Sequence, residues 1–293
     1  MRALSGRIMA VAWAGILGFL IIVFGAGVWA ALVASNLRTS PAVPWAVPAM
    51  ALVLWLMWLY LGGKYWPRST SQARRRYLRA NPVSAQAFGW ALLAGAMSVV
   101  AFAGFWIVMF QLVKMPGNVL PDFSRYPLLT VVLMIVMGSL AAPFTEEPAF
   151  RGYCQVILER EFRGPIAVVI SSVLFALPHG PTQGFLWPKL LFYFLVGVAF
   201  GATAYLTNSI LPAIPVHVVG LLIFFTLVWP HDATRRLLWE GGGDAWFWIH
   251  AAQTIIFTAL AILAFLRLAR VTERRHSVGG NGIVTDPASE PVG

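Results

Sequence analysis

Long apolar runs separated by short polar turns make up almost the whole chain. A helix rises 1.5 Å per residue, so about 20 apolar residues cross the hydrocarbon core of a bilayer. By that measure eight spans are predicted: 9–33, 43–62, 87–113, 127–144, 164–179, 187–206, 210–229 and 245–268. The run beginning at Met9 is too long for the apolar part of a signal peptide, and no A-x-A cleavage site follows it, so it is read as a span. The expected fold class is all-α, a polytopic transmembrane helical bundle of about eight spans. The fourth run continues in helical register from Pro127 past Glu146 to about Arg160. Unbroken, it would be roughly 51 Å long, more than a bilayer's thickness. Pro143 and Pro148 lie inside it, so a kink, or a break lining a cavity, is expected there.

Composition agrees. Of 293 residues, 59% are hydrophobic and 11% charged, less than half the roughly 25% charge of a soluble domain. Mean hydropathy is +0.76, which excludes a single water-soluble core. The net charge of +10 would suit nucleic acid, but the basic residues lie in turns between apolar runs. Membrane topology explains that placement, and no nucleic-acid partner is expected. With the N-terminus inside, 14 basic residues fall in inner segments: Arg2, Arg7, Lys64, Arg68, Arg74, Arg75, Arg76, Arg79, Arg160, Arg163, Arg267, Arg270, Arg274 and Arg275. Six fall outside: Arg38, Lys114, Arg125, Lys189, Arg235 and Arg236. The asymmetry predicts a multi-pass cell-membrane protein with both termini cytoplasmic. The single Cys154 excludes an intrachain disulfide and reads as an apolar filler.

Ionisable residues inside spans are costly, so each is a functional candidate. Here they form three groups. In Glu146-Glu147-Pro148-Ala149-Phe150-Arg151, the spacing of Glu147 and Arg151 suits a helical ion pair with the acid first. Glu146 is turned about 100° from its neighbour and is left to act as a base. If the prolines restart the helix near Thr145, Glu146 also sits at a positive dipole end. The second group is Phe175…His179. Taking the polar turn 161–164 as a hairpin tip, Glu146 and His179 lie equally far from it and therefore at matched depth. A carboxylate and an imidazole so placed can share and deprotonate a water, then protonate a leaving amine. The third is His217, which can donate to an oxyanion or bind a metal. The blander readings are a structural Glu147–Arg151 clamp and packed histidines. Three groups on adjacent spans weigh against them. His231 and Asp232 in an outer loop, and His276 in the tail, are read as having no role in chemistry. His250, among Trp246 and Trp248, is read as part of an interfacial aromatic belt.

The order E-E-x-x-x-R, F-x-x-x-H and a further intramembrane His resembles the CAAX-protease and bacteriocin-processing family, also called Abi, and in particular the type II CAAX prenyl endopeptidases. The likeness covers about 130–225, including Glu146-Glu147…Arg151-Gly152-Tyr153, Phe175…His179, Gly197…Gly201…Tyr205 and Leu211-Pro212…His217. It implies an intramembrane endopeptidase acting on a membrane-associated, in some cases prenylated, protein substrate. In that picture Glu146, His179 and His217 are catalytic: the first two activate water and His217 helps bind the oxyanion. Glu147 and Arg151 support the site. No cofactor is expected on this reading, although two His and a Glu also suit zinc or another divalent metal, with Glu146, His179 and His217 as ligands. One departure stands out: the family's Asn or Asp four residues after the last His is Leu221 here. Asn208, nine residues before His217, is about 13 Å away along a helix and does not replace it.

The organisation expected is N-terminal helices with a basic inner loop over 1–126, a protease-like core over 127–229, an outer loop and last helix over 230–275, and a disordered tail over 276–293. Two rival classes remain. One is a non-catalytic relative serving as a bacteriocin-immunity or membrane-scaffold binding protein, which Leu221 favours. The other is a transporter relaying protons through Glu146, His179 and His217, for which the halves show no repeat.

Overall fold

A computed structural model describes residues 2–116, 123–241 and 243–280. Every regular element among them is helical. Helix α1 (Arg2–Ile22) passes through a wide π-helical turn, Val23–Gly27, into α2 (Val28–Thr39), and α3 (Ala46–Leu61) returns beside it. A basic loop holds α4 (Ser71–Leu78), and α5 (Ala85–Leu112) follows. Helix α6 (Leu128–Glu146) runs through a second π-helical turn, Glu147–Cys154, into α7 (Gln155–Leu158). Then come α8 (Gly164–Ala176), a tight turn at Leu177–His179, α9 (Gly180–Gln183), α10 (Trp187–Thr207) and α11 (Ala213–Ile223). Helix α12 (Ala245–Gly280) ends the described chain. It includes the first five residues of the predicted tail, and 281–293 lie outside the described residues.

All eight predicted runs are helical, and this is a multi-pass membrane protein. Among the described residues, seven helical stretches are long and apolar enough to cross a membrane. The eighth, α3, has 16 residues, about 24 Å against a hydrocarbon core of about 30 Å. Large apolar side chains on its outer face and on those of α1 and α12, such as Trp13, Trp55 and Ile255, are exposed, as lipid contact requires.

The helix stays continuous through Pro143, and at Pro148 the expected disturbance takes the form of a π-helical turn, Glu147–Cys154, rather than a break. Leu128–Leu158 is one continuous apolar helical stretch. Pro148 has no N–H to give the Phe144 carbonyl, and the Trp58 indole N–H donates to that oxygen instead, at 2.7 Å. The wide turn that starts at Glu147 takes up the proline. Glu146 is therefore not at a helix start, and the dipole argument for it falls.

The two ends of the bundle differ in chemistry. At one end Arg7 lies over the Phe162 ring at 5.7 Å. There Arg79 donates to Glu159 at 2.9 Å and to Asn208 at 3.1 Å. Arg160 reaches the Tyr77 hydroxyl at 2.7 Å. The three predicted inner loops thus meet at one end, which also receives the chain's start. Helix α12 packs antiparallel on α5, with Gly104 against the His250 carbonyl and Leu268 among Ala87 and Ala91. Not all the basic residues there are solvated, contrary to a pure topology reading. Arg74 and Arg79 are buried, and Arg74 donates to the Lys64 and Tyr65 carbonyls and covers the Tyr60 ring. At the other end buried Asn36 fixes the α2–α3 turn, donating to the Ser40 and Val43 carbonyls and accepting from the Ala46 N–H. Asp232, placed in an outer loop by the sequence, is buried at that end and accepts from the Trp106 indole and from Arg235.

Candidate active site

Between α5, α6, α8, α10 and α11 lies a cavity of about 230 Å³. Glu146, His179 and His217 all line it, as the hairpin arithmetic for the first two requires. Its remaining wall is mostly aromatic, including Phe175, Phe192, Phe200, Phe224 and Trp229.

Local structure explains how each group arrives there. Residues Leu177–His179 wind tightly after α8, and the His179 ring turns back so that Nδ1 is 2.9 Å from the Phe175 carbonyl. A carbonyl only accepts, so Nδ1 carries the proton, and whenever the ring is neutral Nε2 presents a lone pair. The imidazole stacks on Tyr193, centroids 3.7 Å apart. Helices α8 and α10 approach closely because Gly197 faces Ser172, where a Cβ would stand 2.9 Å from the Ser172 Cα.

On the opposite wall the two glutamates divide. Glu147 has no exposed side-chain surface. Its Oε1 accepts from His217 Nδ1 at 2.9 Å and stands 3.5 Å from the Arg151 guanidinium. At that length the predicted Glu147–Arg151 pair is an ion pair rather than a hydrogen bond. Arg151 rests its cation on the Phe175 ring, 4.0 Å from the centroid. Glu146 retains 14% side-chain exposure, and its Oε2 lies 3.6 Å from His217 Nε2. His217 therefore bridges both carboxylates. Its Nδ1 proton is committed to Glu147, which leaves Nε2 facing Glu146. Phe200 stacks on the other side of the ring.

Among the described residues, no three or more His, Cys, Asp or Glu side chains are grouped to hold a metal ion. Glu146, His179 and His217 are therefore not drawn together as a ligand set in this geometry, while the Nδ1 bonds of the two rings leave both Nε2 atoms free. Leu221 lines the cavity, so the position where the family carries a polar side chain does face the site. Asn208 is far from it, in a left-handed turn (φ 49°) at the basic end. Cys154 is fully buried in the core.

Among the wall residues that sequence reasoning missed, three carry a polar group: Tyr193, Gln183 and Trp229. Gln183 had a signal, since it follows His179 by four residues and so shares its helical face. Tyr193 and Trp229 had none beyond aromatic composition.

Residues 128–223 match the family described as type II CAAX prenyl endopeptidase Rce1-like. These residues are similar to that family. The match covers about a third of the chain and contains Glu146, Glu147, Arg151, His179 and His217. That family is described as one of endopeptidases. No curated protein and no solved structure matches the chain.

Proposed function

We propose that the protein is an intramembrane endopeptidase of the cell membrane that hydrolyses a peptide bond of a membrane-associated protein, prenylated proteins being one substrate class. The observation that carries this is the meeting of Glu146, His179 and His217 on one mainly apolar cavity inside the bundle. An aromatic wall suits an apolar peptide segment or a lipid chain, and a few convergent polar groups suit chemistry at a fixed point.

The protein's own residues supply each step. Water is held between the Glu146 carboxylate and the His179 Nε2 lone pair. Its oxygen adds to the scissile carbonyl carbon as Glu146 takes a proton. His217 Nε2, beside Glu146, accepts and returns that proton while Glu147 balances the imidazolium. The C–N bond then breaks and the leaving amine receives the proton. This makes His217 a proton partner of Glu146, a role its geometry supports better than oxyanion donation. Aromatic walls exclude bulk water and strengthen these interactions.

The test is cleavage of membrane-associated and prenylated peptides by purified wild-type and Glu146→Ala protein, each with and without chelator. Cleavage abolished by Glu146→Ala and indifferent to chelator supports the reading. Cleavage lost on chelation replaces it with metal-assisted hydrolysis. A biological effect that survives Glu146→Ala favours the non-catalytic scaffold instead, the reading that Leu221 in the cavity wall supports.

A further inference from the structure

The first acidic residue in the chain is Asp122, so the basic loop between α3 and α5 has no carboxylate of its own. Lys64, Arg68, Arg75 and Arg76 are exposed there. Among the described residues none of the four pairs with a carboxylate, whereas the buried Arg79 is paired with Glu159 at 2.9 Å. Two large aromatic side chains stand among these cations, Trp66 at 84% exposure and Tyr65 at 54%. The loop is built to present them. Tyr65 has a left-handed backbone (φ 69°), which is costly for an aromatic residue and persists only where the surroundings fix it. Buried Arg74 does so, donating to the Lys64 and Tyr65 carbonyls at 2.9 and 3.0 Å. The Tyr153 hydroxyl, 3.3 Å from both the Leu61 and Arg74 carbonyls, ties the loop to the bundle. Tyrosine and tryptophan rings favour the headgroup level of a bilayer. Helix α3 ends at Leu61, and at about 24 Å it is short enough to hold the loop that follows close to the hydrocarbon boundary.

We infer that this loop, over residues 64–76, is a binding site for lipids with anionic headgroups in the leaflet it faces. Topology asks only that positive charge lie on one side of the membrane. It does not ask that the cations be unpaired, rigidly mounted and interleaved with exposed aromatic rings. In the site the rings of Tyr65 and Trp66 enter the apolar edge of the headgroup layer, and the four cations meet the phosphate oxygens above it. Three of the four are arginines, whose guanidinium can give two parallel N–H bonds to one phosphate. An acidic protein or a nucleic acid would satisfy the charges and leave Trp66 without apolar surroundings. The inference is independent of the reaction proposed above.

The experiment titrates the purified full-length protein in a neutral detergent with fluorescent phosphatidylglycerol or phosphatidylcholine of the same acyl chains and reads Kd. Each cation near an anionic membrane surface strengthens attraction about fivefold. Wild type is therefore expected to bind phosphatidylglycerol more than about 25-fold more tightly than phosphatidylcholine. The double variant Arg75→Gln/Arg76→Gln should lose about 25-fold for phosphatidylglycerol alone. These side chains are exposed, so the unfolding midpoint without added lipid stays at the wild-type value. A second double variant, Arg38→Gln/Arg236→Gln, removes the same charge from exposed positions at the other end and should leave both affinities unchanged. Glycerophosphoglycerol, the headgroup without acyl chains, should fail to displace the lipid. Equal affinity of wild type for the two lipids overturns the inference. So does an equal loss in the two double variants, which would make the effect one of net charge. Displacement by the headgroup alone also overturns it, in favour of a soluble anion.

Discussion

Glu147 is sealed from solvent, and its charge is met from two sides, by Arg151 at 3.5 Å and by His217 Nδ1 at 2.9 Å. Its second oxygen has no hydrogen-bond partner, so the Arg151 charge matters more than a single long contact suggests. Removing one member of a buried ion pair typically costs about 3–5 kcal/mol, because the other is left uncompensated. Arg151→Met is therefore expected to destabilise the protein by about that much, read as a lowered unfolding midpoint in detergent. A midpoint within a degree of wild type would sink the idea. Half of this arrangement is legible in the sequence. Glu147 and Arg151 are neighbours by helical spacing alone, and Glu146 faces elsewhere for the same reason. The His217 contacts are not legible, since 70 residues separate it from Glu147 and only tertiary packing joins them. Leu221 was visible as a departure from the family pattern, whereas Gln183 is recognised as a wall residue only when α9 is seen to close the cavity.

Elements α3 and α6 show why Pro148 need not break a helix. In lipid every backbone polar group needs a partner, and the carbonyl that Pro148 frees at Phe144 finds one in Trp58. The Trp58 ring also packs on Phe144, centroids 5.3 Å apart. The wide turn from Glu147 to Cys154 then sets the directions of Glu147 and Arg151. Such turns recur at functional sites. Nearby, the other wide turn brings Gly25 against Thr145, where a Cβ would overlap the Thr145 Cγ2 at 1.9 Å. Trp58→Phe leaves the Phe144 carbonyl unpaired and should cost about 1–3 kcal/mol. In a Pro148→Ala background the helix's own N–H takes that carbonyl, so the same change should cost less than about 1 kcal/mol. Equal costs in the two backgrounds, measured by detergent unfolding of the four variants, would show that the indole bond carries nothing. Hydropathy marked α3 as apolar and the prolines as a disturbance. It held no signal for a π-helical turn or for a donor 86 residues upstream.

At the scale of the whole molecule, charge asymmetry and packing agree on which loops share an end. Arg7, Arg79, Glu159, Phe162 and Asn208 meet at the basic end, although Arg74 and Arg79 serve structural bonds as well as topology. The turn at 40–45 lies at the other end, where Thr130 donates to the Pro41 carbonyl at 2.8 Å. Helix α3 must therefore travel from that turn to the basic loop despite its 16 residues, and its short length is matched by local thinning of the bilayer or by the polar turns that flank it. Were α3 to lie on one surface, those contacts at opposite ends would not form together. The cavity residues Gln183 and Trp229 belong to the end remote from the basic loops, so substrate access is expected from there. Cysteine labelling tests this in intact cells, with native Cys154 silent because it is buried. Thr182 and Arg75 are exposed at opposite ends. With the basic end cytoplasmic, a membrane-impermeant maleimide should label Thr182→Cys in intact cells and Arg75→Cys only after permeabilisation. Labelling of Arg75→Cys alone in intact cells would invert the orientation while keeping the two ends apart. Labelling of both from one side would mean that an even number of crossings separates Arg75 from Thr182, so that α5, α6 to α7 and α8 do not all cross, and the arrangement of ends would fall.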